Sequence, residues 1–241
     1  MLVATYNVHR CRGVAGRFRP DRITAVIAEI RPDLIALQEA QHYLRRGRGM
    51  LDAEAIERDL GLRILPVTSR AGEQGWRSNL LLVRHDAVLR RPPVGLRLGG
   101  LEPRGAVLAE LDLGEGPFRV IATHFSLGVA RRRAQARLLL EAMAQAEEPG
   151  MPTLLLGDLN EWRRKDSALD VLAPRFGTPP RVPTFPAFRP VLPLDRILAV
   201  PQGLVTAVTA HDTPLARQAS DHLPLTARID TTLLHPASAG S

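Results

Sequence analysis

The sequence predicts an α/β protein built on a pseudo-symmetric pair of β-sheets. Two strand–helix–strand units can be read along the 241 residues, and in both units a polar residue follows the end of each strand. These residues are Asn7 and Glu39 in the first unit, 32 positions apart, and His124 and Asp158 in the second, 34 positions apart. The strands are uninterrupted apolar runs, which is typical of strands buried on both faces.

The first unit begins with an apolar run over residues 2–6 that predicts a strand ending at Asn7. Helical periodicity over residues 22–30 follows, and a proline stops it. A second apolar run over residues 34–37 predicts the returning strand, which ends at Gln38-Glu39.

The second unit repeats this plan. Residues 119–123 predict a strand that leads into His124, and residues 132–146 have helical periodicity. The apolar run over residues 153–156 then ends at Gly157-Asp158-Leu159-Asn160. Ligands of α/β sheets gather outside the carboxyl ends of strands, so we expect the polar residues of both units to face one crevice.

The remaining elements are predicted more coarsely. Six prolines between residues 178 and 193 forbid a helix or a central strand and indicate a stiff surface loop. No linker divides the chain, so residues 1–230 are expected to form a single domain, and the small-residue tail over 231–241 is expected to be disordered. Further strands are predicted at residues 79–83, 107–113, 196–200, 204–209 and 224–229, and a helix at 166–172.

Composition excludes several classes of protein. Apolar residues make up 45% of the chain, which is enough for a core, and the single cysteine, Cys11, excludes an intrachain disulfide framework. No apolar stretch reaches the roughly 18 residues that a membrane span needs. Polar residues interrupt the first apolar run by Thr5, so no signal peptide is expected and the protein is predicted to be cytoplasmic.

The net charge of +7 favours anionic partners. Only one of the 32 basic residues, Lys165, is a lysine, and such an arginine bias follows from codon usage as readily as from a polyanion-binding surface. The charge is therefore compatible with nucleic acid, lipid headgroups or other phosphate esters as substrates. The oligomeric state stays open.

The polar residues at the strand ends suit a hard divalent cation. Mg²⁺ prefers oxygen ligands and binds through one or two carboxylates, which fits Glu39 beside Asn7. A zinc site needs a cluster of cysteines and histidines, and the chain has one cysteine and no such cluster. A site for a hard cation is therefore favoured over a zinc site.

Two segments suit the hydrolysis of a phosphate ester, in which a water must be activated and charge on the phosphoryl oxygens balanced. Asp158 and Asn160 are two positions apart in an extended segment, so they share one face. Asp221 and His222 are adjacent before the last strand, and Asp195 can orient His222 as a buried carboxylate does for a catalytic histidine.

These motifs resemble those of the endonuclease/exonuclease/phosphatase superfamily of metal-dependent hydrolases. The resemblance extends from Thr5-Tyr6-Asn7-Val8 to Ser220-Asp221-His222, which is nearly the whole chain. Five motifs occur in the family's order. They are Leu37-Gln38-Glu39, Thr123-His124-Phe125, Gly157-Asp158-Leu159-Asn160, Leu194-Asp195-Arg196-Ile197-Leu198 and Ser220-Asp221-His222.

The resemblance implies a four-layer α/β/β/α sandwich, two packed mixed β-sheets flanked by helices. It also implies that Glu39 binds Mg²⁺ or Mn²⁺ with Asn7 and Asp221 nearby. Asn160 and His124 would hold the phosphate. Either Asp158 or the His222–Asp195 pair would activate water, and the sequence leaves this choice open.

Three further residues are predicted to contact the substrate: His9, which shares the face of Asn7, Asn79 and Arg132. The rival interpretation of His9 is a structural histidine, and arginine runs such as Arg131-Arg132-Arg133 are usually solvated faces. Asn79 ends the segment Gly75-Trp76-Arg77-Ser78-Asn79, which resembles small bacterial members of the superfamily with undefined substrates.

Departures from the abasic-site endonucleases limit the choice of substrate. Those enzymes carry a lysine just past the metal-binding glutamate, where this chain has Ala40-Gln41-His42. We therefore rank a nuclease or general phosphodiesterase slightly above a phosphatase for lipid headgroups or sugar phosphates, and above a non-catalytic module that binds phosphate or nucleic acid.

Overall fold

Two six-stranded β-sheets pack face to face, with helices on their outer surfaces. The structure is a computed structural model that describes residues 1–13, 16–41, 49–68, 73–100, 102, 104–148 and 150–235. The first sheet contains β1 (Leu2–Asn7), β2 (Leu34–Gln38), β3 (Leu62–Ile64), β4 (Leu80–Arg84), β11 (Val205–Ala210) and β12 (Leu225–Ile229). The second contains β5 (Val88–Leu89), β6 (Val94–Arg97), β7 (Gly105–Asp112), β8 (Pro117–His124), β9 (Thr153–Asp158) and β10 (Asp195–Val200).

Five helices cover these sheets: α1 (Pro20–Ile30), α2 (Ala53–Leu60), α3 (Val129–Ala144), α4 (Ala168–Phe176) and α5 (Pro214–Ala219). Apolar residues of α1, α2 and α5 pack on the first sheet, and those of α3 and α4 pack on the second. A third apolar layer, which includes Val3, Val120 and Leu156, fills the space between the sheets. The order of layers is therefore α/β/β/α, as predicted.

Both sheets are mixed, and each has a parallel pair at its centre. The strand order is β11-β12-β1-β2-β4-β3 in the first sheet and β10-β9-β8-β7-β5 in the second, where β6 also pairs with β7. The parallel pairs are β1 with β2 and β8 with β9, joined through α1 and α3 respectively. These are the two strand–helix–strand units that the spacing predicts.

The register of these pairs brings the strand ends to the same edge. Asn7 lies opposite Gln38 in the first sheet, and His124 lies opposite Asp158 in the second. The antiparallel strand β10 begins where β9 ends, with Asp195 opposite Asp158. Three of the predicted site residues thus lie side by side at one edge of the second sheet.

The disordered tail expected from Thr231 does not begin there. Residues Thr231–Leu234 form a short 3₁₀ turn in which the side chain of Asp230 accepts the backbone N–H of Thr232, and Leu234 is fully buried in the layer between the sheets. A single apolar anchor of this kind orders a segment whose composition is otherwise that of a tail. Residues 236–241 lie outside the described part of the chain.

No helix in the described ranges combines the length and the apolarity needed to cross a bilayer.

Candidate active site

The site lies where the two sheets meet at the carboxyl ends of their central strands. A hydrogen bond joins the sheets directly, because the side-chain amide of Asn7 donates to Oδ2 of Asp158 over 2.9 Å. These residues are 151 positions apart, and both are almost completely buried. The other oxygen of Asp158 accepts the backbone N–H of Asn160 at 2.8 Å. Asp158 is therefore held from both sheets.

His124 and Asn160 surround the same carboxylate. Nε2 of His124 lies 3.3 Å from Oδ2 of Asp158 and 3.2 Å from the amide nitrogen of Asn160. That amide also donates to the carbonyl of Phe125 at 3.0 Å. Asn160 has a positive φ of 50°, a conformation that asparagine tolerates better than most side chains. This backbone turn places its side chain back over the end of β8.

His222 lies between two carboxylates. Its Nδ1 is 2.8 Å from Oδ2 of Asp195, and its Nε2 is 3.8 Å from Oδ2 of Asp158. The hydroxyl of Thr184 donates to the same oxygen of Asp195 at 2.5 Å, and the ring of Phe185 lies 4.9 Å from the imidazole. The proline-rich loop thus supplies two residues that fix the orientation of the pair.

Charge within the site decides the protonation of these groups. Burial alone would lower the pKa of His222, but the charges of Asp195 and Asp158 outweigh it and raise this pKa to about 10. Burial raises the pKa of Asp195, against the opposing charge of His222. Burial would likewise raise the pKa of Asp158, yet the charges of His124 and His222 lower it well below its usual range. At neutral pH the shared proton therefore lies on His222, and Asp158 is a carboxylate.

Two of the predicted metal ligands are partly open to solvent. Glu39 follows β2 directly, its side chain is 22% exposed, and its carboxylate lies 3.7 Å from Nε of Arg10. Asp221 is more open, with a side chain that is 37% exposed and 3.7 Å from Nδ1 of His9. Glu39, Asp221 and the side-chain carbonyl of the buried Asn7 offer oxygen atoms, the donor type that suits a hard divalent cation.

A second group of possible ligands is buried. Asp158, Asp195 and His222 each offer an atom within 4.8 Å of the others. Oδ1 of Asp195 has no hydrogen-bond partner although it is buried, so this group also has an oxygen available to a cation. Cys11 lies in the apolar cluster beneath the helices of the first sheet, where burial raises the pKa of its thiol to about 12.

Two residues predicted to contact substrate are used inside the protein instead. Asn79 is fully buried, and its amide donates to the carbonyls of Trp76, Arg77 and Gly105. Arg132 is also fully buried, and Nε and Nη2 of its guanidinium each bond Glu161 at 3.1 Å. Neither side chain is available to a ligand. His9, by contrast, is 43% exposed beside Asp221. It begins a 3₁₀ segment after β1, with a φ of 43°, so the strand alternation from which a face shared with Asn7 was predicted does not extend to it.

One positively charged side chain of the site, that of Arg104, was not predicted from the sequence motifs. Nη1 of Arg104 lies 2.6 Å from Nδ1 of His124, and its Nε donates to Glu102 at 2.8 Å. Arg104 precedes strand β7, so it is not at a strand end, and it is one of many arginines in the chain. Its side chain is only 17% exposed, which sets it apart from the solvated arginines of the surface.

The four-layer fold and the acid, amide and imidazole groups at its edge define a class of α/β/β/α phosphoesterases. The chain belongs to the Endonuclease/Exonuclease/phosphatase family, whose sequence profile matches residues 4–222. This family includes phosphodiesterases, nucleases and phosphatases, and its members are generally hydrolytic.

Similarity to individual proteins is more distant. The uncharacterized protein YbhP of Escherichia coli K12 is 34% identical over 160 residues, which cover 60% of this chain and 62% of YbhP. Among solved structures, the mannosyl-6-phosphatase Bt3783 of Bacteroides thetaiotaomicron superposes with a TM-score of 0.74 at 17% identity, over 95% of this chain and 99% of the other. Truncated TDP2 of Caenorhabditis elegans gives 0.64 at 18% identity, over 94% and 95%. At these identities the structures show a common fold.

Proposed function

We propose that the protein is a divalent-metal-dependent phosphoesterase that hydrolyses phosphodiesters, with a nuclease-type activity favoured over a phosphatase activity. The observation that carries this proposal is the convergence on Asp158. Asn7, His124, Asn160 and His222 come from four separate stretches of the chain, and each has a polar atom within 4 Å of this one carboxylate or of a residue bonded to it. Acid, amide and imidazole groups that meet at one buried carboxylate are the groups that a hydrolytic site needs.

The side chains divide into two groups by charge. Asp158 is ionised, as a base must be, although the charges that lower its pKa also make it a weaker acceptor of the water proton. The ring of His222 is held between Asp195 and Asp158, where its proton is retained, so we favour Asp158 as the base and His222 as a positive group beside the phosphoryl oxygens. Asn160, His124 and Arg104 add donors on the same side.

We assign the cation to Glu39, with Asn7 and Asp221 nearby, and expect Mg²⁺ or Mn²⁺. When bound, such an ion neutralises charge on the phosphoryl oxygens and on the leaving oxygen. The donor set is made of oxygen atoms and is partly open to solvent, which suits an ion that keeps several waters.

Asp158→Asn and His222→Gln test this assignment. We expect each to lower the rate on a chromogenic diester at least about 10²-fold, because each removes a positioned acid, base or charge-balancing group. The matched controls are Asp86→Asn and His85→Gln, which alter exposed residues in the turn between β4 and β5 at the opposite edge of the first sheet. A rate within twofold of wild type for either site variant would show that the water is activated elsewhere.

A substrate panel decides between the candidate activities. The wild-type protein, with Mg²⁺, with Mn²⁺ and with a chelator, is assayed on a chromogenic diester, a chromogenic monoester, plasmid DNA, RNA, phosphoinositides and sphingomyelin. We expect metal-dependent cleavage of diesters. Turnover of monoesters alone would make the protein a phosphatase, and no turnover on any substrate would favour a non-catalytic module that binds phosphate.

A further inference from the structure

Four loops of the described chain surround the candidate active site. The first follows β1, the second follows β8, the third follows β9, and the proline-rich loop leads into β10, whose first residue lies opposite the last residue of β9. The proline-rich loop is tied to the site by the bond from the backbone N–H of Ala187 to the carbonyl of Asp221, at 2.7 Å. All four loops therefore project from the edge of the molecule that carries the site.

Exposed large apolar side chains are concentrated on these loops. Of the nine among the described residues, five lie here: Phe18, Leu127, Trp162, Phe188 and Val191, with exposed fractions of 46%, 61%, 44%, 64% and 58%. The other four are scattered over β5, β6, α3 and the 3₁₀ turn near the carboxyl end. Single exposed apolar residues are ordinary, but repeated exposure around one site marks an interaction surface.

The protein holds these side chains in place. Arg132 donates to the carbonyl of Leu127, and its guanidinium lies 5.3 Å from the centre of the Trp162 ring. The carbonyl of Phe188 accepts a hydrogen bond from Arg217 at 3.3 Å. The apolar groups are thus presented to solvent on an ordered backbone rather than on a free loop.

Positive charge accompanies the apolar groups. The exposed basic residues of these loops include Arg12, Arg17, Arg163, Arg164, Lys165 and Arg189. Asp166 is the one exposed acid in the described parts of the same four loops. We name these loops together the apolar-basic rim (residues 8–13, 16–19, 125–128, 159–167 and 178–194). Its side chains match a partner that is anionic and has an apolar interior.

We propose that the apolar-basic rim binds the surface of a membrane rich in anionic phospholipids. Its arginines would meet the headgroups while Leu127, Phe188 and Val191 enter the boundary of the acyl chains. Single-stranded nucleic acid fits less well, because its bases would stack on the aromatic rings but leave the exposed aliphatic side chains of Leu127 and Val191 without a partner. Membrane binding itself does not depend on the proposed function. Only its consequence rests on that function, namely that phosphate esters of lipid headgroups lie within reach of Asp158.

Sedimentation with sucrose-loaded vesicles tests the surface without any turnover, because it is done in a chelator. At 150 mM salt, roughly physiological ionic strength, we expect the wild-type protein to bind vesicles of equal phosphatidylglycerol and phosphatidylcholine at least about tenfold more strongly than pure phosphatidylcholine. The double variant Leu127→Ser/Phe188→Ser should lose about tenfold in partitioning. The matched control is Val94→Ser/Leu138→Ser, which removes exposed apolar side chains elsewhere and should bind as wild type does; melting temperatures check that all variants fold.

Three outcomes would overturn the proposal: no binding of wild type to the anionic vesicles, equal binding to both vesicle types, or equal loss in the test and control variants. A fluorescent oligothymidylate is assayed in parallel. If it binds in place of the vesicles and Trp162→Ala removes that binding, the rim is a nucleic-acid surface and the membrane proposal is wrong. Because no step depends on hydrolysis, these results stand whether or not the diester assays succeed.

Discussion

Arg104 contributes a positive charge to the site beyond those that the motifs supply. Nη1 of its guanidinium lies 2.6 Å from Nδ1 and 3.0 Å from Nε2 of His124, so the guanidinium lies directly against this imidazole. We predict that Arg104→Ala lowers kcat/KM for a chromogenic diester about 10²-fold, since it removes both a charge near the phosphoryl oxygens and the partner that orients the ring.

The comparison variants for Arg104 separate charge from packing. Arg104→Lys keeps the charge and should recover part of the rate, whereas Arg97→Ala, an exposed arginine on β6, should leave the rate within twofold of wild type. If Arg104→Ala and Arg97→Ala behave alike, Arg104 has no part in the reaction.

Single residues show where motif-based prediction stops. The positions of Asn7, His124 and Asp158 follow from the ends of parallel strands, and the structure places them together at those ends. Arg132 stands in the sequence as one of three consecutive arginines, whereas in the structure the buried residues of α3 are at positions 132, 135, 136, 139 and 143. That helical spacing is visible in the sequence, and it assigns Arg132 to the inner face and Arg131 to solvent.

At the level of elements, the buried pair of Arg132 and Glu161 links helix α3 to the loop that follows β9. Glu161 also accepts the backbone N–H of Ala168, the first residue of α4, at 3.0 Å, and its carbonyl accepts a hydrogen bond from Arg196. We predict that Arg132→Met lowers the free energy of unfolding by about 3 kcal/mol, because Glu161 is left buried without its partner.

Urea unfolding of Arg132→Met is compared with that of Arg137→Met, an exposed arginine on the same helix. The control should change the free energy of unfolding by less than about 0.5 kcal/mol. Equal midpoints for the two variants would mean that the pair contributes no net stability.

The parallel pairing of β8 and β9 depends on a glycine at the end of β9. Gly157 has a φ of 152°, and a Cβ at this position would lie 1.8 Å from the carbonyl oxygen of Thr123 on β8. We predict that Gly157→Ala destabilises the protein by about 3 kcal/mol or more, because two adjacent strands would have to separate. Gly150→Ala, where nothing lies within 4 Å, is the control in the same thermal melts; similar melting temperatures would contradict the prediction.

Elements with strong apolar patterns were predictable, and very short ones were not. The central strands and helices α1 and α3 follow the predicted runs to within a few residues. Helix α2 is amphipathic about its one buried residue, Ile56, so its periodicity could have indicated it. Strand β5 has two residues in all, which is too few for a periodic signal. Such a short strand is fixed by contacts with the rest of the fold.

For the whole molecule, the sequence predicts the layers but not the contact between them. The strand ends predict that the polar residues of both units face one crevice, but they do not give the contacts within it, so the bond from Asn7 to Asp158 could not be derived from spacing alone. The resemblance to a known family supplied the four-layer arrangement. The positions of side chains that lie before strands, such as Arg104, needed the structure.

The proposed cation should couple its binding to the stability of the whole fold, because its ligands come from β1, β2 and the segment before β12. We predict that Mg²⁺ at about 100 times its dissociation constant raises the free energy of unfolding of the chelator-treated protein by about 2.7 kcal/mol. Thermal melts with and without Mg²⁺ measure this, and Glu39→Gln should abolish the shift while the exposed Glu57→Gln keeps it. A shift that survives Glu39→Gln would place the ion elsewhere.

The strand order of the first sheet determines how much of the chain must be synthesised before the site is complete. Strand β1 lies between β2 and β12, although β12 is the last of the described strands along the chain. Asp221, His222 and the strand after them must therefore be synthesised before the crevice has all its groups. On the proposed function, we expect chains that end before β12 to be inert, and two fragments separated between the units to gain activity only on reassembly.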